Sequence, residues 1–303
     1  MRGYFISKAL GHPHAYEIMT AGTGTATGAL MPNPNNINAP ITLIAHGRSG
    51  TSLCMNVLRA HPDVTACGET GALLFGSYHA TEMAAPNIRP HPQLGPLATP
   101  QDRAAHAVRL LFLDNFQSDR PRWVHKPINV PQALALAPRL NNLEGQLAWY
   151  WDTYHRCFPD SLTFSVLRHP YDVMLSSRDY WGLTPHRAWQ NIVKMAQIIA
   201  APGSDITFAV SYERLVNTPE AEVARMLDHL HLTPHRACIR ATEQVYVPQP
   251  KTPDQPKAKA VERVERGFSR RHTWDQLDMS HIRNEDRDTL IAMWARFGET
   301  LEF

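Results

Sequence analysis

A chain of 303 residues, 43% hydrophobic and 19% charged, is long enough to bury a sizeable core as one large domain or two small ones. Thirty basic residues against 28 acidic leave a formal charge of +2, which argues against a protein that coats nucleic acid. The four cysteines, Cys54, Cys67, Cys157 and Cys238, lie far apart with no C-x-x-C pair; they indicate neither a disulfide framework nor a thiolate zinc site, and read as buried free thiols.

The opening MRGYFISKALGHPHAYEIM interrupts its apolar pattern with Gly, His and Pro too early for a signal peptide. No run approaches the roughly 18 apolar residues of a membrane helix, so the expected address is the cytoplasm, with no membrane span. Residues 20–40 are rich in Gly, Thr, Pro and Asn, which makes residues 1–40 an N-terminal extension ahead of a main domain over 41–303. From Ile41 onward short β-rich runs (ITLIAH, RWVHK, LTFSVLR, ITFAVSY) alternate with helical patterns over 50–60, 101–118, 143–158 and 219–231. That alternation predicts an α/β fold, a three-layer P-loop-like domain with a mostly parallel central sheet flanked by helices. The Pro-rich stretch 247–257 reads as a surface loop, and the basic stretch 256–272, interleaved with glutamates, as solvated surface. The segment EDRDTLIAMWARFGE reads as a C-terminal helix ending near Gly298.

The chemistry concentrates at ITLIAHGRSGTSLCMNVLRAHPD, residues 41–63, where a strand turns tightly into a helix. Gly47 and Gly50 permit the turn, Thr51 and Ser52 can donate from the first helical turn, and the helix directs its positive end at the loop, which favours an anion. The nucleoside-triphosphate pattern G-x-x-x-x-G-K-[ST] fails, because Ala45 stands at its first Gly and Thr51 at its Lys; the cation is Arg48. The loop resembles the 5′-phosphosulfate loop of sulfotransferases that use 3′-phosphoadenosine 5′-phosphosulfate (PAPS), in which a Lys or Arg precedes Ser-Gly-Thr-[ST], here Arg48, Ser49, Gly50, Thr51 and Ser52. Through RSGTSLCMNVLRAHPDVTACGET the chain looks most like tyrosylprotein sulfotransferases and their bacterial relatives.

The resemblance implies further roles. Arg168, at the end of a strand, and Ser176, eight residues on in a helix that Pro170 can start, match the pair that holds the 3′-phosphate. Tyr212 in VSYERL resembles the tyrosine beside the adenine, with core packing as its competing reading. Arg266 and Gly267 resemble the segment that closes over the 3′-phosphate, although Glu265 replaces an Arg of that motif and Arg263, Arg270 and Arg271 are rivals. Arg48 and Lys126 are the cations expected at the transferring group; an ordinary surface lysine is the alternative for Lys126. Glu69 falls where the tyrosylprotein enzymes place their catalytic Glu and is followed by the same Thr, here Thr70; Gly68 stands where they carry an additional Glu. It is the expected general base, against a helix-capping role in the GET turn. His125 is the rival base, but beside Lys126 on a strand it should face the other way, and Ile128 occupies the position of the cytosolic enzymes' catalytic His. His46 is expected to pack.

No H-E-x-x-H or comparable ligand pattern is present, so no metal is invoked. The acceptor, a hydroxyl or amine of a small molecule, carbohydrate, lipid or peptide, is not legible. The aromatics of AWYWDTY and DYWG can line a site but at helical spacing are more often core, while 71–100 and 247–260 read as variable acceptor walls. A P-loop kinase or nucleoside-triphosphate hydrolase, and a non-catalytic nucleotide-binding protein, are the alternative classes.

Overall fold

Strands β1 (Ile41–Leu43), β2 (Val64–Glu69), β3 (Arg122–Lys126), β4 (Leu162–Leu167) and β5 (Ala209–Ser211) form a sheet in the order β2-β3-β1-β4-β5, with every pairing parallel. The computed structural model describes residues 39–84, 87, 99–115, 120–127, 133–137, 140–243 and 271–303, all within one compact unit, Asn33–Phe303. Ile41 lies opposite Val124 on one side and Leu162 on the other, so β1, only three residues long, is the centre of the sheet and wholly buried. From β1 the chain moves outward to β2, returns through β3, and then crosses β1 to reach β4 and β5. In such a sheet the order reverses at β1, and the crevice at its carboxyl end is where ligands bind.

Helices cover both faces, as the alternation predicts. Strand alternation sends Ile41, Leu43 and Val124 to one face, where they pack with Leu53, Val57 and Leu58 of α1 (Thr51–Arg59) and with Val223, Met226 and Leu227. On that face α7 (Tyr212–Asn217), α8 (Pro219–His229) and α9 (Arg236–Ala241) complete the layer. The opposite face carries α2 (Ser77–Ala84), α3 (Pro100–Asn115), α4 (Leu143–Cys157), α5 (Pro170–Trp181), α6 (Pro185–Ala200) and α10 (Asn284–Ala295). Their starts are locally encoded: the Asn142 side chain accepts from Gly145 N at 2.7 Å, His169 caps α5 with Pro170 at its first position, and Thr184 caps α6 with Pro185 following.

The expected helices over 143–158 and 219–231 form over 143–157 and 219–229, and the one expected over 101–118 spans Pro100–Asn115, residues 116–119 lying outside the described residues. Two elements go beyond the sequence reading. β2 is an edge strand whose VTACGE lacks a continuous apolar run because most of it is only half-buried. Residues 72–84, part of the segment read as an acceptor wall and given no regular structure there, are helical: a π turn over Ala72–Gly76 leads into α2. Cys54, Cys157 and Cys238 are buried free thiols, and Cys67 is half-buried.

Candidate functional site

The turn after β1 is built by two left-handed residues. Arg48 stands at φ 73° and Gly50 at φ 100°, Gly50 serving as the N-cap of α1 without a side-chain cap bond. A left-handed non-glycine residue costs about 1–2 kcal/mol, a strain that the surroundings must hold in place. They do so directly. Arg168 Nη1 donates to the Arg48 carbonyl at 3.1 Å, Ser49 N donates to the His46 carbonyl at 3.2 Å, and Arg48 Nε donates to Ser176 Oγ at 3.2 Å.

Both glycines are needed for close approach. A Cβ on Gly47 would stand 2.3 Å from Trp181 Cη2, and one on Gly50 2.3 Å from Tyr212 Cδ2. The rings of Trp181 and Tyr212 therefore wall the loop from two sides. Tyr212 in turn lies under the Arg168 guanidinium, 4.3 Å from its centroid, and Arg48 stacks over Tyr180 at 4.0 Å. Arg168, Ser176 and Tyr212, each at least 120 residues from Arg48 in sequence, thus converge on one turn. Thr51 is buried at the first helical position and Ser52 is half-buried; the N–H groups of a helix's first turn have no acceptor within the helix. Arg168 Nε is buried with no hydrogen-bond partner among the described residues, although Nη2 lies 3.8 Å from Asp172 Oδ2.

The second group sits at the carboxyl ends of β2 and β3. Glu69 and Lys126 are paired across the ladder, with Lys126 Nζ 3.5 Å from Glu69 Oε1. The lysine side chain is 10% exposed and the glutamate 45%, so the ammonium is enclosed while the carboxylate faces solvent. Burial pushes the Lys126 pKa down, Glu69 opposes that shift, and Arg59 and Arg48 reinforce it at longer range. Lys126 is therefore no loose surface lysine, and Glu69 is the last residue of a strand. His125, on the opposite face, is fully buried with Nε2 2.7 Å from Thr42 Oγ1 and Nδ1 2.7 Å from Thr70 Oγ1. Both ring nitrogens are thereby engaged away from the cleft. Burial drops its pKa to about 3. His46, packed edge-on to Trp181 and donating from Nδ1 to the Gly47 carbonyl, is pushed down to about 4 by burial, with that bond opposing.

Arg266 and Gly267, with their rivals Arg263 and Arg270, lie outside the described residues, as do Ile128 and the 247–260 wall. Of the aromatic runs, Trp149, Tyr150, Trp151 and Tyr154 are core, whereas Tyr180 and Trp181 are about half exposed and line the loop. Sequence reasoning missed two residues there. Asp172 pairs with Arg168 at the i, i+4 spacing, which was a usable signal, and it accepts from Trp274 Nε1 at 2.7 Å. The contact of Trp181 with Gly47 left no sequence signal. Beside Tyr212 a cavity of about 260 Å³ is lined by His169, Asp172, Ser211, Glu213 and Trp274 among others. Burial raises the Glu213 pKa, while the His169 N–H bond it accepts opposes the rise. Among the described residues no helix is long and apolar enough to cross a membrane, and no group of three or more His, Cys, Asp or Glu is arranged to hold a metal.

A parallel α/β sheet with a tight strand-to-helix turn at its reversal point defines the class. The sulfotransferase-family profile matches residues 40–236, and the chain belongs to the sulfotransferase family. It is 26% identical over 231 residues to nodulation protein NoeE of Sinorhizobium fredii (strain NBRC 101917 / NGR234), a match covering 67% of this chain and 52% of that protein. The chain thus spans about half the length of that curated relative. Similar solved structures include the sulfotransferase domain from the Synechococcus PCC 7002 olefin synthase, with TM-score 0.44, 19% identity, and 69% of this chain and 78% of that one covered. A second is the sulfotransferase domain from the curacin biosynthetic pathway, with TM-score 0.42, 19% identity, and coverages of 68% and 79%.

Proposed function

We propose that the chain transfers a sulfuryl group from PAPS to a hydroxyl or amine of its acceptor, using residues 41–303 as the catalytic domain and 1–40 as an extension. The observation that carries this reading is the convergence of Arg168, Ser176 and Tyr212 on the Arg48–Ser52 turn. In this reading the turn holds the 5′-phosphosulfate at the N-terminus of α1, where backbone N–H groups and the helix dipole favour an anion. Arg168, with its unbonded Nε, and Ser176 take the 3′-phosphate, and Tyr212 contacts the adenine. Arg266 and Gly267 are proposed to contribute to the same phosphate.

The transfer needs three things: charge stabilisation on the sulfuryl oxygens, a cation at the leaving phosphate oxygen, and a base for the attacking group. Arg48 and Lys126 supply the cations. Glu69, exposed beside Lys126, accepts the acceptor's proton as its oxygen or nitrogen bonds to sulfur; the sulfur–oxygen bond to the phosphate breaks, and 3′-phosphoadenosine 5′-phosphate leaves with that electron pair. A positioned base contributes about 10²- to 10⁴-fold. Glu69→Gln is expected to lower turnover of labelled PAPS by that factor while leaving nucleotide affinity unchanged. Undiminished turnover would remove Glu69 from this role. Arg168→Ala should weaken PAPS more than adenosine 5′-phosphosulfate, which lacks the 3′-phosphate; equal weakening would remove Arg168 from the 3′-phosphate.

A further inference from the structure

The ladder between β2 and β3 loses register between Ala66 and Glu69, and Gly68 in that interval stands at φ 79°. Glu69 pairs with Lys126 again only beyond this bulge, and contacts outside the ladder brace that last pair. Thr70 N donates to the Lys126 carbonyl at 3.3 Å, and Thr70 Oγ1 lies 2.7 Å from His125 Nδ1. Across the ring, Nε2 lies 2.7 Å from Thr42 Oγ1, which accepts from the Tyr154 hydroxyl at 2.6 Å. The chain of bonds links α4, β1, β3 and the end of β2, and Thr42, Thr70, His125 and Tyr154 are all at most 2% exposed. The rings of Phe112, Trp123 and Phe158 surround the imidazole.

Tyr154 gives its only hydroxyl proton to Thr42, whose Oγ1 carries one proton of its own and a second lone pair. Where each group donates onward, Thr42 gives its proton to His125 Nε2 and that nitrogen is the acceptor. A neutral ring must then carry its proton on Nδ1 and donate to Thr70 Oγ1. We infer that His125, as the neutral Nδ1–H tautomer, is a positioning residue that anchors Thr70 and through its backbone holds Glu69 against Lys126. The inference rests on the reading of Glu69 as the general base. His125 itself touches neither donor nor acceptor.

The test has a spectroscopic and a kinetic arm. In the full chain labelled with ¹⁵N-histidine, and with the resonance assigned by its loss in His125→Asn, the ring should show the Nδ1–H tautomer at neutral pH. Thr42→Val, which removes the proton given to Nε2, should release it toward Nε2–H. An Nε2–H ring in the wild type, or one indifferent to Thr42→Val, would overturn the inference. For the kinetic arm, Asn places an amide nitrogen near the Nδ1 position and can still donate to Thr70, whereas the longer Gln reaches the Nε2 position and cannot. With PAPS as donor and 2-naphthol as acceptor, or water if naphthol is not sulfated, His125→Gln should lower kcat about 10- to 100-fold, the scale of a small misplacement of a catalytic group. KM for PAPS and affinity for 3′-phosphoadenosine 5′-phosphate should be unchanged, and His125→Asn should recover most of kcat. If Glu69→Gln, run in parallel, keeps full activity, the base assignment fails and the inference with it. If Glu69→Gln is inactive but the two His125 variants match each other, the positioning role alone fails.

Discussion

Replacing Gly50 by Ala perturbs the loop in two separable ways. The residue stands at φ 100°, so an L side chain there is strained by about 1–2 kcal/mol. Its Cβ would also stand 2.3, 3.1 and 3.3 Å from three atoms of the Tyr212 ring, which must move. That ring carries the Arg168 guanidinium at 4.3 Å, a contact worth about 0.5–2 kcal/mol. Losing it corresponds to about a 2- to 30-fold loss of affinity for 3′-phosphoadenosine 5′-phosphate, since 1.4 kcal/mol is tenfold. Gly298→Ala is the control: its φ is 71°, and nothing lies within 4 Å of the new Cβ. Both variants should lose about 1–2 kcal/mol of stability, or roughly 2–8 °C in Tm. Calorimetric titration should then show weakened nucleotide binding for Gly50→Ala alone. Wild-type affinity in a Gly50→Ala protein that has lost the expected stability would refute the claim that Tyr212 and this turn form one nucleotide site.

Three further outcomes are expected. Glu222, 1% exposed, accepts from Ser211 N at 2.7 Å, from Arg214 Nε at 2.9 Å and from Arg225 Nη1 at 2.6 Å. Both arginines are partly exposed and can turn to water, so Glu222→Ala should cost mainly the orphaned buried N–H, about 1–3 kcal/mol in urea unfolding; a loss under 0.5 kcal/mol would contradict this. His46 and His125, held near 4 and 3 by burial, bind fewer protons folded than unfolded below pH 6.5. Their contribution is therefore complete above pH 6.5 and falls as pH drops toward the folded values, by about 3 kcal/mol for the pair between pH 6.5 and 5. Urea midpoints in that interval should fall steeply, and less so for His125→Asn; flat midpoints would show that these rings are not buried neutral. Tyr180→Leu removes the ring beneath Arg48 and should weaken nucleotide binding by about 2- to 5-fold, with Tyr180→Phe unchanged; equal effects would place the role in the hydroxyl.

Much of this was legible because the informative residues declare themselves locally. The strand-turn-helix at 41–59 announces its glycines and its cation, and the Pro170 start and the β-rich runs of β3 and β4 specify a parallel sheet. The opposite facing of His125 and Lys126 follows from strand alternation alone. β2 escaped notice because a half-buried edge strand needs no apolar run, and its bulge at Gly68 hides the alternation. Tyr180 and Trp181 are not the core residues that helical spacing favours, because their contacts with Arg48 and Gly47 are made about 130 residues away and nothing in the local pattern encodes them. Thr42 and Thr70, flanking His125, were invisible as partners for the same reason.

The central claim is that the Arg48–Ser52 turn and Arg168 hold a nucleotide with phosphates at both ends. Titrating the purified chain calorimetrically with 3′-phosphoadenosine 5′-phosphate in metal-free buffer, against ATP with Mg²⁺, tests it most directly. Micromolar or tighter binding of the bisphosphate is expected, about −8 kcal/mol or more, with no metal requirement and little competition from ATP. Binding of ATP with Mg²⁺ in preference to the bisphosphate would mean that the turn holds a triphosphate and would overturn the assignment of both phosphate sites.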